Sequence, residues 1–402
     1  MSMKLSLRSV TAGELETLAR VEARANNRHA TQEYVVHGQH SLATERTLAA
    51  FAGDELVATS VSHAFRLSVP GGEVKLGGIG WVAVLPTHRR RGIMTQLIHE
   101  HLRASYERGD CLSGLWPTRG NIYARYGYAI SAFGESWRIE HGNARLNSAV
   151  TETGRLISLH TPDSRRRFPD VYARLREQRG GVIERDEIFW DVEFEDHIEE
   201  RRGASSFFFT AYEFADRLDG YLKYRIDERG RELHVSELIA TTLEASTALW
   251  AYCFALDQID TISAWNRPVD DPLPWQVSNP RAVNRSVHDT MWLRLVDVRR
   301  ALTARTYATK ERLVLHVVDT VCPWNNGVYE LDSTTADVTC ERSTAPADLT
   351  LDVSILSAMY LGGVSPVTLH RAGALEQHRA GTVTRLASMF STELPPWTPH
   401  EF

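Results

Sequence analysis

The residues best suited to chemistry lie in segment 81–95, where an apolar stretch runs into a basic turn and then into the start of a helix. Backbone N–H groups at a helix N-terminus lack intrahelical partners and carry partial positive charge, so they bind anions. Three consecutive arginines add positive charge, and the glycine after them lets a ligand approach the main chain closely. The segment therefore predicts a pyrophosphate site, made by Arg89, Arg90, Arg91, Gly92, Ile93, Met94 and Thr95.

This turn resembles the Arg/Gln-x-x-Gly-x-Gly/Ala turn of GCN5-related N-acetyltransferases, from which it departs at Met94. Further along, the segment Ile122-Tyr-Ala-Arg-Tyr-Gly-Tyr128 resembles that family's Tyr-x-x-x-Gly-aromatic segment. The resemblance implies acetyl-CoA as co-substrate, no metal, and Tyr123 as general acid. Because a tyrosine has a pKa near about 10, its phenol is protonated at neutral pH and can give a proton to a leaving thiolate.

The resemblance also implies contacts with acetyl-CoA on either side of the turn. In that family the preceding strand is splayed, its main chain pairs with the pantetheine arm, and an N–H near Val84 polarises the thioester carbonyl. The loop before Tyr123 passes the cofactor. The residues that these contacts involve are Val82, Ala83, Val84, Thr118 and Arg119.

The elements that must position this site are predicted from the spacing of apolar residues and from residues that break helices and strands. Glycines 71 and 72 divide two extended segments, which predicts a hairpin, and apolar residues at helical spacing follow the basic turn. A capping-box pattern, Thr11 to Glu14, predicts that a helix opens the chain. The predicted elements are strands over Glu55–Val69, Glu73–Val84, Cys111–Trp116 and Ala129–Ile139, a helix from Gly92 to about Arg108, and a helical turn over Asn121–Tyr126.

The rest of the chain repeats this order of predicted elements once, and the pattern then changes to alternating strands. A second module is expected from about Gly154, and alternating strands are expected from Met291 onward. The predicted elements are strands over Phe207–Tyr212, Tyr221–Ile226, Leu233–Thr241, Arg312–Val318 and Asp348–Val353, and helices over Leu243–Leu256 and about Ser354–Leu361.

Over its whole length the chain resembles a narrower group, the enhanced intracellular survival (Eis) family of bacterial acetyltransferases. The segments that carry this resemblance are Val82-Ala-Val-Leu-Pro-Thr-His-Arg-Arg-Arg-Gly92, Asn121–Tyr128, Asp271-Pro-Leu-Pro274, Trp292-Leu-Arg294 and Glu401-Phe402. The resemblance implies an α/β (α+β) chain with an acetyltransferase module at 1–145, a second module of that fold at 146–288 and a sterol-carrier-like module at 289–402. It also implies a homohexamer built from trimers.

The second module is expected to lack a cofactor site. Ile239-Ala-Thr-Thr-Leu-Glu244 stands where the basic turn should be, and it contains neither arginine nor glycine. A pyrophosphate would find no positive charge there, so this copy is expected to shape the substrate cleft or an interface.

The end of the chain carries a role that the resemblance implies. In the family the terminal carboxylate reaches the active site as general base, which here falls on Phe402, with Glu401 beside it at the substrate. An α-carboxylate is ionised at pH 7 and could deprotonate an ammonium directly or through a water, and the resulting amine then attacks the thioester directly. The alternative is a frayed tail. The proline-rich segment Leu394–Pro399 contains Trp397 and is expected to hold the tail down.

The family's substrates are polyamines, including aminoglycoside antibiotics. Six acidic residues in segment 186–196 surround Trp190, and such an acidic, aromatic wall would attract a polycation. The alternative is a solvated acidic helix face. Trp81 and Trp116, at strand ends beside the cofactor site, are expected to line the acceptor pocket.

Composition limits the remaining classes of function. A net charge of −6 over 402 residues opposes a general nucleic-acid binder. The sequence has neither an apolar run of about 18 residues nor a secretory signal, so we expect a cytoplasmic protein without a membrane span. Four widely separated cysteines lack zinc-site spacing and are expected to be buried thiols.

Three functions stay open at this point. The first is acetylation of amines on a small polycation such as a polyamine or aminoglycoside. The second is acetylation of lysine side chains on a protein partner. The third is a lipid-binding or scaffolding protein with a vestigial transferase module, which segment 347–363 of the sterol-carrier-like part suggests.

Overall fold

The computed structural model describes residues 5–147, 153–227 and 229–402. These residues form two compact units. The first unit holds the described residues up to Ala132 together with Thr290–Glu393 and Glu401–Phe402, and the second holds Phe133–Asp289 and Leu394–His400. Each unit therefore combines segments that are far apart in the sequence.

The described elements are named here in chain order. The strands are β1 (Leu5–Arg8), β2 (Thr47–Ala52), β3 (Glu55–Val69), β4 (Gly72–Val84), β5 (Leu112–Leu115), β6 (Ala129–Ile130), β7 (Phe133–Glu140), β8 (Arg155–Leu159), β9 (Phe208–Phe214), β10 (Arg217–Ile226), β11 (Glu232–Ala240), β12 (Thr261–Pro268), β13 (Val283–Asp289), β14 (Trp292–Leu295), β15 (Arg312–Val318), β16 (Gly327–Asp332), β17 (Thr339–Arg342), β18 (Leu349–Asp352) and β19 (Leu375–Gln377). The α-helices are α1 (Leu15–Ala25), α2 (Gln32–Ser41), α3 (Ile93–Arg108), α4 (Gly120–Tyr123), α5 (Thr161–Gln178), α6 (Glu187–Glu193), α7 (Leu243–Ala255), α8 (Leu273–Gln276), α9 (Val298–Thr303), α10 (Val353–Met359), α11 (Pro366–Arg371) and α12 (Thr382–Phe390).

The sheet that carries the basic turn belongs to the first unit and has the strand order β1-β2-β3-β4-β5-β14-β6. The predicted hairpin is confirmed, since β3 and β4 pair antiparallel around a turn at Gly71, whose φ is 80°. The predicted helix is α3, which ends at Gly109 in the left-handed conformation that favours glycine. Strand β4 and helix α3 thus enclose the turn on its two sides.

The start of the chain differs from the prediction of an opening helix. The first described element is β1, which pairs with β2, and the Thr11–Glu14 capping box precedes a short 3-10 turn ahead of α1. Helix α2 was not predicted either. Its N-terminus is capped by the Thr31 side chain, which accepts a hydrogen bond from the Tyr34 N–H. Four residues are too few for strand alternation to identify β1.

The single strand predicted over Ala129–Ile139 is wrong, because two strands in different sheets take its place. Strand β6 lies in the first unit's sheet, whereas β7 pairs with β12 and β13 in the second unit's sheet. In return, β14, from the segment assigned to the third module, pairs with β5 and β6. The second unit's sheet therefore includes a strand from the first module, and the first unit's sheet includes one from the third, so sheet membership crosses the linear boundaries at 145 and 288.

The second unit contains one sheet, with the order β13-β7-β12-β11-β10-β9-β8. The three strands and the helix predicted for this module correspond to β9, β10, β11 and α7. Trp250 of α7 is fully buried against Trp137 of β7, with ring centroids 5.6 Å apart. The tryptophan pair thus packs α7 against β7.

The third sheet, β17-β16-β15-β18-β19, lies in the first unit. A buried ion pair joins it to the first sheet: the Arg294 guanidinium of β14 contacts both carboxylate oxygens of Asp319 at 2.8 Å. Ser131 also donates a hydrogen bond to the Ser357 carbonyl at 2.9 Å. A buried arginine without its carboxylate would be costly, so loss of Asp319 alone would destabilise the packing of the two sheets.

The remaining sequence expectations concern cysteines, metals and membranes. All four cysteines are free and buried, as predicted. Within the described ranges, no group of three His, Cys, Asp or Glu side chains is arranged to hold a metal ion. Among the same residues, no helix combines the length and the apolar character that a membrane crossing requires.

Candidate active site

A β-bulge in β4 is the structural centre of the site. Thr59 pairs with Ala83 and Val61 pairs with Gly80, so Trp81 and Val82 together face a single residue of β3. Trp81 has a φ of 54°, and its carbonyl accepts a hydrogen bond of 2.7 Å from the Thr59 hydroxyl. Bulges of this kind bend the strand and redirect its side chains.

The pairing of β4 with β5 ends before the bulge. Their parallel ladder runs from Leu76↔Leu112 to Gly78↔Gly114, where it ends among the described residues. On the other side, the Leu85 N–H donates to the Val57 carbonyl, so strand alternation turns the main-chain groups of Val84 away from β3. The strand thus presents an open edge where a pantetheine contact was predicted.

The basic turn follows directly and has the predicted local form. Arg90 and Gly92 have φ values of 61° and 74°, and Gly92 is the N-cap of α3. The conformation, rather than crowding, calls for glycine at position 92, because no atom lies within 4 Å of where its Cβ would be. No side chain caps the helix, so the first N–H groups of α3 stay available to a ligand.

The arginines of the turn differ in their contacts, although all three are exposed. Arg89 donates hydrogen bonds to the carbonyls of Val84 and Ala25, at 3.1 and 2.6 Å. Arg91 donates to the Thr87 carbonyl at 3.0 Å. Arg89 therefore stabilises the turn itself, and its contact with a phosphate stays a prediction.

Tyr123 is the last residue of α4, with exposed Thr118 and Arg119 just before that helix. Its side chain is buried with Tyr126 and Tyr128 and with Ile79 of β4. This burial raises the pKa of Tyr123 to about 12. The phenol is therefore a proton donor, not an acceptor, at any physiological pH.

Phe402 lies against the glycines of β4. Its ring meets the Phe65 ring edge to face, with centroids 4.9 Å apart. A Cβ on Gly78 would lie 2.5 Å from the Phe65 ring and 2.9 Å from the Phe402 ring, so only glycine fits there. A Cβ on Gly80 would lie 3.9 Å from the Phe402 carbonyl carbon. The predicted base is thus next to the strand that carries the bulge, while Glu401 is exposed.

Trp81 meets helix α2 on the other side of the bulge. Its ring stacks on Tyr34, with centroids 5.2 Å apart, and on His37, at 6.3 Å. The Tyr34 hydroxyl donates to the carboxylate of Glu22, which also accepts from Asn26 at 2.6 Å. The Glu22 side chain is 8% exposed and pairs with the Arg28 guanidinium at 3.2 Å. A buried carboxylate therefore stands behind an aromatic wall.

Glu22, Tyr34 and His37 were missed in the sequence, although one signal for Glu22 was present. Leu15 and Leu18 mark the buried face of α1, and Glu22 follows them at helical spacing on the same face. A carboxylate on the buried face of a helix needs partners and often marks a functional site. Because α2 has few apolar residues, nothing comparable marked Tyr34 or His37.

The other predicted substrate residues lie in different places. Trp116 follows β5 and is half-buried. Trp190 belongs to the second unit and is a core residue, 5% exposed, with its ring 5.5 Å from Tyr172. Both substrate contacts stay predictions.

Four of the six acidic residues around Trp190 pair with arginine or lysine, which reduces the negative charge expected of that wall. The pairs are Glu187 and Asp191 with Arg165, Glu193 with Lys223, and Asp196 with Arg201 and Arg225. Of the other two, Asp186 caps α6 by accepting from the Phe189 N–H, and Glu195 contacts His197 at 3.1 Å.

The predicted anchor of the tail is confirmed within the second unit. Trp397 is 4% exposed, and its indole N–H donates to the Asn266 carbonyl at 2.9 Å. Asn266 in turn donates to the Thr398 carbonyl at 2.7 Å. His400 accepts a hydrogen bond of 3.0 Å from buried Arg185, and burial with this cation lowers the pKa of His400. Residues 396–400 are thus buried rather than frayed.

Comparison with known families agrees with this architecture. The family described as "Acetyltransferase (GNAT) domain" matches residues 6–131, and a second family of the same description matches residues 181–295. The family described as "Sterol carrier protein domain" matches residues 298–399. The predicted fold class is therefore confirmed.

Individual relatives match along most of the chain. "N-acetyltransferase Eis" of Mycobacterium tuberculosis is 31% identical over 361 residues, which is 87% of each chain. An "Uncharacterized N-acetyltransferase" of Streptomyces avermitilis is 35% identical over 367 residues, covering 89% of this chain and 90% of that protein. The crystal structure of Eis1 from Mycobacterium abscessus superposes with a TM-score of 0.88 at 30% identity, covering 99% of this chain and all of that one.

Proposed function

Since the chain belongs to the Eis family of N-acetyltransferases, we propose that it transfers acetyl from acetyl-CoA to amines of a polycation such as an aminoglycoside or polyamine. The observation that carries the proposal is the bulge at Trp81. The open edge of β4, the stacked wall of Trp81 and Tyr34, and Phe402 all adjoin one strand of the first unit.

The residues of the first module fit acetyl-CoA. The free N–H groups at the start of α3 and the exposed Arg90 and Arg91 would hold the pyrophosphate. The pantetheine arm would lie along the open edge from Val82 to Val84, where the Val84 N–H would polarise the thioester carbonyl. Acetyl-CoA supplies the activated acetyl group. Tyr123 would then protonate the departing thiolate.

The acceptor side favours a cation. Aromatic faces attract ammonium groups, and Trp81 and Tyr34 present such faces. The buried carboxylate of Glu22 behind them accepts a hydrogen bond from Tyr34 and pairs with Arg28, which offsets part of its negative charge. Ammonium groups are the form in which polyamines and aminoglycosides meet the enzyme at neutral pH. We therefore assign the acceptor amine to the space beside this wall.

An ammonium cannot attack a thioester until it loses a proton, so the reaction needs a base. The proposal takes Phe402 as the last residue of the mature chain and gives this role to its carboxylate. Intact-mass measurement tests whether the mature chain ends at Phe402. The family resemblance further supports a homohexamer built from trimers, which light scattering would test.

The proposed function is tested by measuring release of free CoA thiol with matched panels of acceptors. The panels are aminoglycosides, polyamines, monoamines and lysine-containing peptides. Each panel is also measured with the Tyr123→Phe variant, which gives the background rate of thiol release. Turnover that is highest with polycations supports the proposal. Turnover confined to lysine peptides would assign the protein-acetylating alternative, and a lack of turnover with all four classes would reject the proposal.

A further inference from the structure

His63 of β3 shares a gap with the end of the chain. The position that a Cβ on Gly80 would occupy lies 3.4 Å from the His63 Nε2 and 3.9 Å from the Phe402 carbonyl carbon. The imidazole and the carboxyl group therefore border the same small space, which exists because residue 80 has no side chain. One water in this space would lie close to both the imidazole and the carboxyl group.

Three rings in series fix the orientation of this pair. The His63 ring stacks on the Phe65 ring, with centroids 5.5 Å apart and 16° between the planes. The Phe65 ring in turn meets the Phe402 ring edge to face. Residues 63 and 65 point to the same face of β3, so the strand itself sets their spacing. His63 is half-buried and can exchange a proton with solvent.

The ordinary pKa values of the two groups set the direction of proton transfer between them. An unperturbed α-carboxyl group has a pKa of about 3.5 and an unperturbed imidazole a pKa of about 6.5. A proton on the carboxyl group is therefore transferred downhill to a neutral imidazole beside it. The imidazolium that forms then loses its proton to water or buffer near pH 7.

We propose that His63 is a positioning residue that orients the Phe402 carboxylate and accepts the proton which that carboxylate removes from the acceptor ammonium. This inference rests on the proposed function. The N–H bond of the ammonium breaks as a carboxyl O–H bond forms; that O–H bond breaks as an imidazole N–H bond forms; and the imidazolium releases the proton to solvent. The carboxylate is thereby restored for the next turnover.

Two arginines near this part of β3 contact Ser62, the residue before His63, whose side chain points to the opposite face of the sheet. Arg46 donates to the Ser62 carbonyl at 3.5 Å, and Arg108 donates to the Ser62 hydroxyl at 3.3 Å. Both arginines pair with Asp110. On the face of His63 itself, the Phe402 carboxyl group borders the same space, and the exposed Glu401 precedes it.

The test combines His63→Gln with a short C-terminal extension, alone and together, in the full-length protein. His63→Gln keeps a hydrogen-bonding side chain but cannot take up a proton. We expect it to lower kcat by about 10-fold, less than the roughly 10² to 10⁴ of a direct acid or base, and to leave acetyl-CoA affinity unchanged. The control is His378→Gln, in the sterol-carrier-like part.

The pH profile separates proton transfer from packing. In the unmodified enzyme at saturating acceptor, kcat should fall toward acidic pH, because a protonated His63 cannot accept another proton. In His63→Gln this acidic limb should move toward lower pH. Gly80→Ala is a second variant, since its methyl group would fill the gap between the two groups. It should lower kcat in the same direction.

The combined variants distinguish the possible failures. If the extension and His63→Gln each lower kcat and the double variant is no slower than the extension alone, the inference is supported. If the extension lowers kcat but His63→Gln leaves kcat and the acidic limb unchanged, or if the two effects multiply, the inference is overturned while the proposed base stands. If the extended chain is fully active, the proposed base is rejected and the inference with it.

Discussion

Trp81 stacks on Tyr34 with ring centroids 5.2 Å apart and an angle of 27° between the planes. The contact joins the bulge of β4 to helix α2, so one residue of the bulge contacts α2 while its neighbours in β4 border the open edge of the strand. Gly38 of α2 allows the close approach, because a Cβ there would lie 3.2 Å from the Trp81 ring. The geometry of the bulge thus couples the two proposed substrate sites.

Glu22→Gln should raise the KM for a polycationic acceptor by about 10-fold and leave the KM for acetyl-CoA unchanged. The amide keeps the shape and part of the hydrogen bonding of the carboxylate but removes the charge that attracts an ammonium. Steady-state kinetics with an aminoglycoside and a monoamine would measure the effect. Glu16→Gln is the matched control, since Glu16 lies exposed on the same helix and pairs with Arg20. Equal KM values in the two variants would exclude Glu22 from acceptor binding.

Arg90→Glu should weaken CoA binding by about 10-fold or more without changing the melting temperature, because an exposed negative charge would then stand beside the pyrophosphate. Arg89→Glu should weaken binding and also lower the melting temperature, since it removes the two bonds from its guanidinium to main-chain carbonyls. Calorimetry and thermal unfolding measure the two quantities. Arg103→Glu, near the other end of α3, is the control. Unchanged CoA affinity in Arg90→Glu would remove that residue from the cofactor site.

Tyr123→Phe should keep both substrates bound and lower kcat by roughly 10² to 10⁴, because only the proton donor is lost. Burial raises the pKa of Tyr123 to about 12, so its acid form persists up to that pH. The kcat of the unmodified enzyme should therefore show no loss of a phenolic proton below about pH 11. Tyr106→Phe, an exposed position on α3, is the control. A variant that retained most of its turnover would make Tyr123 a packing residue.

The sequence predicted the parts of the site that short segments specify. The basic turn, the glycine at position 92 and the helix that follows depend on residues within a few positions of each other, and all three appear as expected. The hairpin of β3 and β4 is local in the same sense. Hydrophobic spacing and turn chemistry report such elements directly.

The parts that were missed depend on contacts between distant segments. Nothing in the alternation of Ala129–Ile139 shows that β6 and β7 join different sheets, because the pattern is the same for either partner. The approach of Phe402 to Gly80 and Phe65 likewise joins residues more than 300 positions apart. The bulge at Trp81 depends on the register of β3 against β4, which composition does not encode.

Trp397→Ala should lower the free energy of unfolding of the second unit by about 3 to 5 kcal/mol, since a buried indole is removed together with its hydrogen bond to Asn266. Denaturant unfolding followed by fluorescence measures the change. Trp275→Ala is the matched control in the same unit, because that side chain is 86% exposed. Similar stability in both variants would show that Trp397 does not anchor the tail.

A C-terminal extension should lower turnover sharply without unfolding the protein. Adding a few residues converts the Phe402 carboxylate to an amide and moves the new terminal charge away from Gly80. A displacement of about 1 Å already costs roughly 10²-fold in a positioned reaction, so we expect a loss of at least that size. The same tag placed at the N-terminus is the control, and the melting temperature and CoA affinity of both proteins should match.

Deletion of Phe402 tests the same role less sharply, because Glu401 would then supply a terminal carboxylate one residue short. It would also remove the ring that packs on Phe65 and so combine a chemical change with a packing change. The extension changes the charge and leaves the ring in place. Full activity in the extended protein would therefore reject the terminal carboxylate as base and direct attention to Glu22, the buried carboxylate behind the acceptor wall, or to an ordered water.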